Sequence, residues 1–161
     1  MEDAIGKFLV HYNYFPHFTY LTDEEFNEYL KYTSQIPLGE DGHINTIAAL
    51  KRQLLLDQAT NKSGILLNII SSLVEKGEFH WTLVYCPKGR IDKQDEDRII
   101  HRLGELASVK FPMINIQFFV GETKDREYLL KDFEEKEVHM LFAIKVLDEG
   151  CLLYTSPSPR D

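Results

Sequence analysis

Three apolar runs separated by amphipathic stretches dominate the second half of the sequence. The runs read HWTLVYC from residue 80, INIQFFVG from residue 114 and VHMLFAIKV from residue 138. Between them, DRIIHRLGELASV and KDREYLLKDFEEKE repeat apolar residues at helical spacing. Apolar strands that alternate with helices form parallel sheets covered by helices on both faces. The sequence therefore predicts an α/β fold with a partial, three-stranded parallel sheet.

The first part of the chain carries helical patterns instead. Thr22 and Glu25 have the spacing of a capping box, in which the hydroxyl and the carboxylate each accept a backbone N–H. A later helix is predicted to end at Gly77 with a left-handed cap. We expect a helical segment over residues 1–77 and an α/β unit over residues 78–150.

Charge and composition limit the functions open to the chain. A net charge of -8 opposes nucleic-acid binding by a free-standing chain, because that affinity comes largely from Lys and Arg. Two cysteines and six scattered histidines lack the spacing of a metal site, so no metal ligand is expected. No stretch is apolar enough to cross a bilayer and the N-terminus is not a secretory signal, so we expect a cytoplasmic protein without a membrane partner.

The loops after the three runs are the candidate binding site, because ligands of parallel sheets bind beyond the carboxyl ends of the strands. Basic side chains and backbone N–H groups there can hold nucleic acid by its phosphates without reading its sequence. The glycines allow close approach, although one glycine alone is more often part of a turn. These basic residues and glycines are Lys88, Gly89, Arg90, Gly121, Lys124 and Lys145.

Taken in order, TLVYCPKG, FFVGETKDREYLLKDFEE and LFAIKVLDEG resemble the second RecA-like domain of superfamily 2 helicases and translocases. The earlier segment AIGKFLVHYNYFPHFTYLTDEEFNEYL looks like the connector after the first RecA-like domain in the branch with type III restriction-like and repair-type helicases. The resemblance covers roughly residues 2–150.

The resemblance implies a partial RecA-like sheet that binds single- or double-stranded nucleic acid, with DNA as the first expectation, beside the first RecA-like domain of the parent. It adds Pro87, Glu122, Thr123 and Arg126 to the nucleic-acid-binding loops. Motif V then falls on Ala143, Ile144, Lys145, Val146, Leu147, Asp148, Glu149 and Gly150. Many relatives carry threonine where this chain has Ile144, so a hydroxyl contact to phosphate is not expected there.

The chain has no phosphate loop of the form G-x-x-x-x-G-K-[ST] and no Asp-Glu pair after a strand in its first half. We expect no catalytic residue and no cofactor here, because ATP and Mg²⁺ would belong to the first RecA-like domain. Two alternatives stay open: a free-standing acidic α/β interaction module, and a flavodoxin-like small-ligand binder, for which CPKGR is a poor phosphate loop.

The family pattern stops after Gly150, where CLLYTSPSPRD replaces the expected hydrophobic residue and Asp. This string is, residue for residue, the translation of a transposase adapter used in sequencing libraries. We expect residues 151–161 to be an assembly remnant, with a natural Ser/Pro tail as the alternative. The resemblance also predicts that the second and third strands pair, while the first strand lacks the neighbour that normally separates it from the third.

Several single residues have their own expectations. Those inside the apolar runs are predicted to lie in the core: Trp81, Phe118, Phe119 and Phe142. Cys86 is expected to be a buried, unreactive thiol. For Arg126 two roles stay open, an ion pair with Glu122 or Glu127 and a contact with nucleic acid.

Overall fold

The computed structural model describes residues 12–36, 45–87, 98–121 and 123–144. These ranges contain α1 (Asp23–Ser34), α2 (Thr46–Asp57), α3 (Asn61–Lys76), β1 (Thr82–Cys86), α4 (Arg98–Lys110), β2 (Ile116–Phe119), α5 (Arg126–Glu134) and β3 (Met140–Ile144). Helices followed by alternating strands and helices are the order that the hydrophobic pattern predicts. The predicted α/β class is therefore confirmed.

The three strands form one parallel sheet in the order β1-β3-β2. Met140, at the start of β3, pairs with Thr82 of β1 on one side and with Ile116 of β2 on the other. Every residue of β3 is buried. The central position suits β3, because buried backbone N–H and C=O groups need partners along both of its edges.

The expectation that the first strand lacks a neighbour is wrong, whereas the expected pairing of the second and third strands is confirmed. β1 lies directly beside β3, in register from Thr82 opposite Met140 to Cys86 opposite Ile144. The physical reason is the burial of β3: its edge away from β2 must also be paired, and among the described strands β1 supplies that pairing.

Alternate residues of β3 face two apolar clusters. The larger cluster joins the sheet to α3 and α4, and its β3 members are Met140, Phe142 and Ile144. The smaller cluster contains Leu141, with Phe133 of α5 and Val138. Helices therefore cover β3 on both faces, which explains why its sequence is apolar throughout rather than alternating.

Close approach of α4 to β2 depends on Gly104. A Cβ at this position would overlap the ring of Phe118, which leaves no room for a side chain there. The same ring lies against His101, with the ring centroids 4.5 Å apart. Gly104 therefore lets the helix backbone lie directly on an aromatic ring of the sheet.

The predicted capping box is present at the start of α1. The Glu25 carboxylate accepts the Thr22 N–H at 2.9 Å, and the Thr22 hydroxyl accepts the Glu25 N–H at 3.2 Å. The other Glu25 oxygen accepts the N–H and the hydroxyl of Thr60, each at 2.8 Å. Glu25 thus ties α1 to the junction between α2 and α3. The expected left-handed cap at Gly77 is also confirmed, with φ at 70°.

Replacement of Glu25 by glutamine is expected to cost about 1 kcal/mol of the free energy of unfolding at neutral pH, because the charge-assisted bonds are lost. The N–H groups of Thr22 and then of Thr60 lower the pKa of Glu25 below its ordinary value of 4.5. A lowered folded-state pKa gives stability that is present above the ordinary value and lost as the pH falls through the folded pKa. The free energy of unfolding is measured with urea at about pH 7 and about pH 3. Its decrease between the two pH values should be smaller for Glu25→Gln than for the unsubstituted chain.

Glu24→Gln provides the matched control, since Glu24 is an exposed carboxylate of the same helical turn. It should cost no more than a few tenths of a kcal/mol, about the size of a surface interaction with the helix dipole. Equal losses for the two variants at neutral pH would contradict the role given to Glu25.

The core predictions hold for Phe119 and Phe142, which are buried, while Phe118 is half-buried against the larger cluster. The prediction for Trp81 is wrong, because its side chain is 57% exposed. Trp81 precedes β1 with φ at 56°, and its ring lies on the rim of the sheet with Lys136 Nζ 4.4 Å from the ring centroid.

The predicted burial of the Cys86 thiol is confirmed, and burial raises its pKa to about 11.

Candidate nucleic-acid interface

The carboxyl ends of the three strands meet at one edge of the sheet, called the carboxyl edge below. Cys86 of β1 pairs with Ile144 of β3, and Phe119 of β2 pairs with Ala143, one residue earlier in β3. Because all three strands are parallel, the chain leaves each of them on this side. The loops that the sequence analysis selected therefore start next to one another.

The structure describes seven predicted site residues: Pro87, Gly121, Thr123, Lys124, Arg126, Ala143 and Ile144. The others lie outside the described residues: Lys88, Gly89, Arg90, Glu122, Lys145, Val146, Leu147, Asp148, Glu149 and Gly150. Residues 151–161 also lie outside them. The geometry of the site is therefore that of the strand ends and of the loop between β2 and α5.

Thr123 holds the loop after β2 in place. Its hydroxyl accepts the Val120 N–H at 2.8 Å and donates to the Phe118 carbonyl at 3.3 Å. Its own N–H donates to the Val120 carbonyl at 3.1 Å. Thr123 therefore closes the turn by using its polar groups within the loop.

Arg126 binds the main chain of the same loop. Its guanidinium donates to the carbonyls of Val120, at 3.3 Å, and Gly121, at 2.5 Å. Its Cζ lies 5.5 Å from the centroid of the Phe119 ring. The sequence analysis left two roles open for Arg126, an ion pair and a contact with nucleic acid. The bonds to loop carbonyls are a third role, and they hold the positive charge of Arg126 at the carboxyl edge.

Gly121, Lys124 and Asp125 are exposed in this loop. A Cβ at Gly121 would meet no atom of the described residues within 4 Å, and the φ angle of Gly121 is not positive. Neither packing nor backbone conformation therefore requires glycine at this position. The open space above its backbone leaves room for a ligand to approach closely.

The start of α5 adds a weak attraction for anions at the carboxyl edge. Asp125 precedes the helix in the left-handed conformation, with φ at 55°, and its side chain makes no capping hydrogen bond. The first N–H groups of a helix carry a partial positive charge that favours phosphates. However, Asp125 and Glu127 balance Lys124 and Arg126, so the described part of the loop and the first turn of α5 together carry no net positive charge. Its attraction for a phosphate backbone is accordingly small and sensitive to salt.

Two features of the structure were missed by the sequence analysis. One is a groove of about 630 Å³ between the segment before α1 and the side of α3, lined by Phe15, Phe18, Ile65, Ile69 and Leu73 among others. The aromatic-rich string YNYFPHFTY was the signal that could have indicated it. The other is a pair of histidines at the opposite edge of the sheet, which the sequence separates by more than fifty residues.

Within the ranges that the structure describes, no group of three or more His, Cys, Asp or Glu side chains could hold a metal ion. Over the same ranges, no helix has the length and apolar character needed to cross a bilayer. No protein-family model matches the chain, and no curated protein or solved structure is significantly similar to it. Membership of the helicase family therefore stays a prediction from the motifs.

Proposed function

We propose that this chain is the strand-gripping half of an ATP-dependent nucleic-acid helicase or translocase, and that it grips through the carboxyl edge. The observation that supports this most is the convergence of three strand ends beside a loop that Thr123 and Arg126 hold in place. That loop presents an open glycine backbone and an exposed lysine. Such groups bind phosphates of a single strand irrespective of sequence.

The residues present do not fit an ATP and Mg²⁺ site. The sequence has no phosphate loop, and the described residues contain no metal-binding cluster. No step of ATP hydrolysis is therefore assigned to this chain. Its proposed part is to hold one strand, DNA in the first instance, while a separate ATP-binding domain opens and closes against it.

A charge reversal at Lys124 tests the proposed grip. Binding of the chain to a fluorescently labelled single-stranded oligothymidylate should be weak and should decrease as salt is added, because few cations contribute. Lys124→Glu is expected to lower the association constant about fivefold at low salt, the effect of removing and reversing one phosphate contact. Fluorescence anisotropy titrations at two salt concentrations measure both effects.

Lys31→Glu is the matched control, because Lys31 is an exposed lysine in the last turn of α1 and is not part of the loops that follow the strands. Both variants change the net charge by the same amount, so a non-specific charge effect lowers both association constants equally. Equal decreases, or binding that does not respond to salt, would count against a grip at the carboxyl edge.

The alternative is an acidic α/β interaction module that binds a protein rather than nucleic acid. It is favoured by the net charge of -8 and by five strongly exposed aromatic residues before α1, namely Tyr12, Tyr14, Phe15, Phe18 and Tyr20. Exposed apolar patches of this kind often mark interaction surfaces. Under this alternative the oligothymidylate would not bind at low salt.

A further inference from the structure

Two histidines are in contact at the edge of the sheet where the strands begin, called the amino edge below. His80 precedes β1 and His139 precedes β3, and their ring centroids are 4.8 Å apart with an interplanar angle of 87°. The ring of Phe79 packs against both, with its centroid 4.4 Å from that of His80 and 5.2 Å from that of His139. The two imidazoles therefore lie in a small aromatic cluster.

Asn115 fastens the start of β2 to the same place. Its backbone N–H donates to His139 Nδ1 at 3.0 Å, and its carbonyl accepts the backbone N–H groups of His139, at 2.9 Å, and Met140, at 3.2 Å. Its side-chain amide donates to the Glu137 carbonyl at 2.7 Å, while its side-chain oxygen accepts from Gln117 at 3.1 Å. Asn115 is thus the anchor between the starts of β2 and β3.

The bond between Asn115 and His139 exists only while the imidazole is neutral. Nδ1 accepts the Asn115 N–H through its lone pair, whereas an imidazolium carries an N–H on both ring nitrogens. Protonation at Nδ1 would set two N–H groups against each other. The adjacent His80 ring supplies no compensating negative charge, and its own Nδ1 is buried with no hydrogen-bond partner among the described residues.

The surroundings of His139 favour the neutral ring. Burial lowers the pKa of His139 below its ordinary value, His80 lowers it further, and the carboxylate of Glu137 raises it in part. His80 and Glu137 are the titratable groups that act on it, from the β1 side and from the turn before β3. At the start of β2, the His139 ring contacts the uncharged backbone amide of Asn115. The side chain of Asn115 in turn accepts a hydrogen bond from the uncharged side chain of Gln117.

The sign of the pH effect follows from that lowered pKa. The folded state binds fewer protons at His139 than the unfolded state does, so the native contact is favoured at neutral pH. The stability it contributes is lost as the pH falls through the ordinary histidine range, about 6.5, towards the folded pKa.

We infer that His139 and Asn115 form a proton-sensitive latch, in which neutral His139 adds a hydrogen bond that fastens the start of β2 to β3, and protonation breaks that bond. Among the described strands β2 lies at an edge of the sheet and has only four residues, so the loss of one bond at its start loosens it, although the bonds to the Asn115 carbonyl remain. Its far end leads into the loop at the carboxyl edge. The latch depends only on contacts at the amino edge and does not rest on the proposed function.

Amide hydrogen exchange of the full chain tests the latch directly. The opening constant of the Asn115 amide, corrected for intrinsic exchange, is measured by NMR between about pH 7.5 and about pH 5.5. It is expected to rise several-fold towards the acid end. In His139→Asn, the new side-chain oxygen can take the place of Nδ1 and cannot be protonated, so the rise should disappear.

His17→Asn is the matched control, because it removes an exposed histidine outside the cluster and should keep the rise. An opening constant that does not change with pH in the unsubstituted chain would overturn the latch, as would a rise that survives in His139→Asn. If His139→Asn does not fold, the NMR titration of the His139 ring in the unsubstituted chain decides. Its midpoint must coincide with that of Asn115 opening, and separate midpoints overturn the inference.

Discussion

The Phe142→Ala variant is expected to lose about 3–5 kcal/mol of its free energy of unfolding, the usual cost of removing a buried aromatic ring. Phe142 is fully buried in the middle of the central strand, and its ring meets that of Phe118 at a centroid distance of 6.2 Å. Removal leaves a cavity between β3 and helices α3 and α4, which close-packed neighbours fill only in part. Urea unfolding followed by circular dichroism measures the loss.

Domains of this size have stabilities of about 5–15 kcal/mol, so this single change removes a large share of the total. Tyr128→Ala is the matched control, since Tyr128 is an aromatic residue of α5 that is 72% exposed. It should change the free energy of unfolding by no more than about 0.5 kcal/mol. Similar losses for the two variants would mean that β3 is not the centre of the core.

Alanine at two helical glycines is expected to have opposite effects. Gly64→Ala should stabilise by up to about 1 kcal/mol, because a Cβ there meets no atom within 4 Å and alanine favours a helix. Gly104→Ala has the same helical advantage but drives its Cβ into the Phe118 ring, at a cost of about 1–3 kcal/mol for overpacking. The ring cannot move away cheaply, since His101 and Phe142 lie against it.

The same urea measurement on the two variants should therefore give shifts of opposite sign. A second substitution isolates the cause: Phe118→Leu removes the ring atoms that the Cβ would meet. In that background, Gly104→Ala should cost clearly less than it does alone. Strict additivity of the two substitutions would show that the Phe118 ring is not the obstacle.

Much of the local structure could be predicted from the sequence, because its causes lie within a few residues. The spacing of Thr22 and Glu25 allows each side chain to bond the other's backbone, and the structure contains both bonds. Gly77 ends α3 because glycine adopts positive φ without strain. The apolar runs became strands, and their parallel order brings the candidate loops to one edge. These predictions needed only periodicity, capping and turn chemistry.

The candidate site was predictable in position but not in the roles of its residues. Sequence order placed Thr123 and Arg126 in the loop after β2, but their bonds to loop carbonyls depend on how the turn closes. Trp81 looked like a core residue because it adjoins an apolar run, yet its left-handed backbone places the ring on the rim. Such outcomes depend on a few backbone angles that composition does not specify.

The tertiary structure alone decided the strand order and the long-range bonds. Hydrophobicity identifies β3 as buried but does not say which strand lies on each side of it, because any apolar strand satisfies the same requirement. The bonds of Glu25 to Thr60 and of Asn115 to His139 join residues 35 and 24 positions apart. A hydrogen bond between residues so far apart in sequence forms only after packing has brought the two segments together. Local sequence patterns do not predict which distant segments will meet.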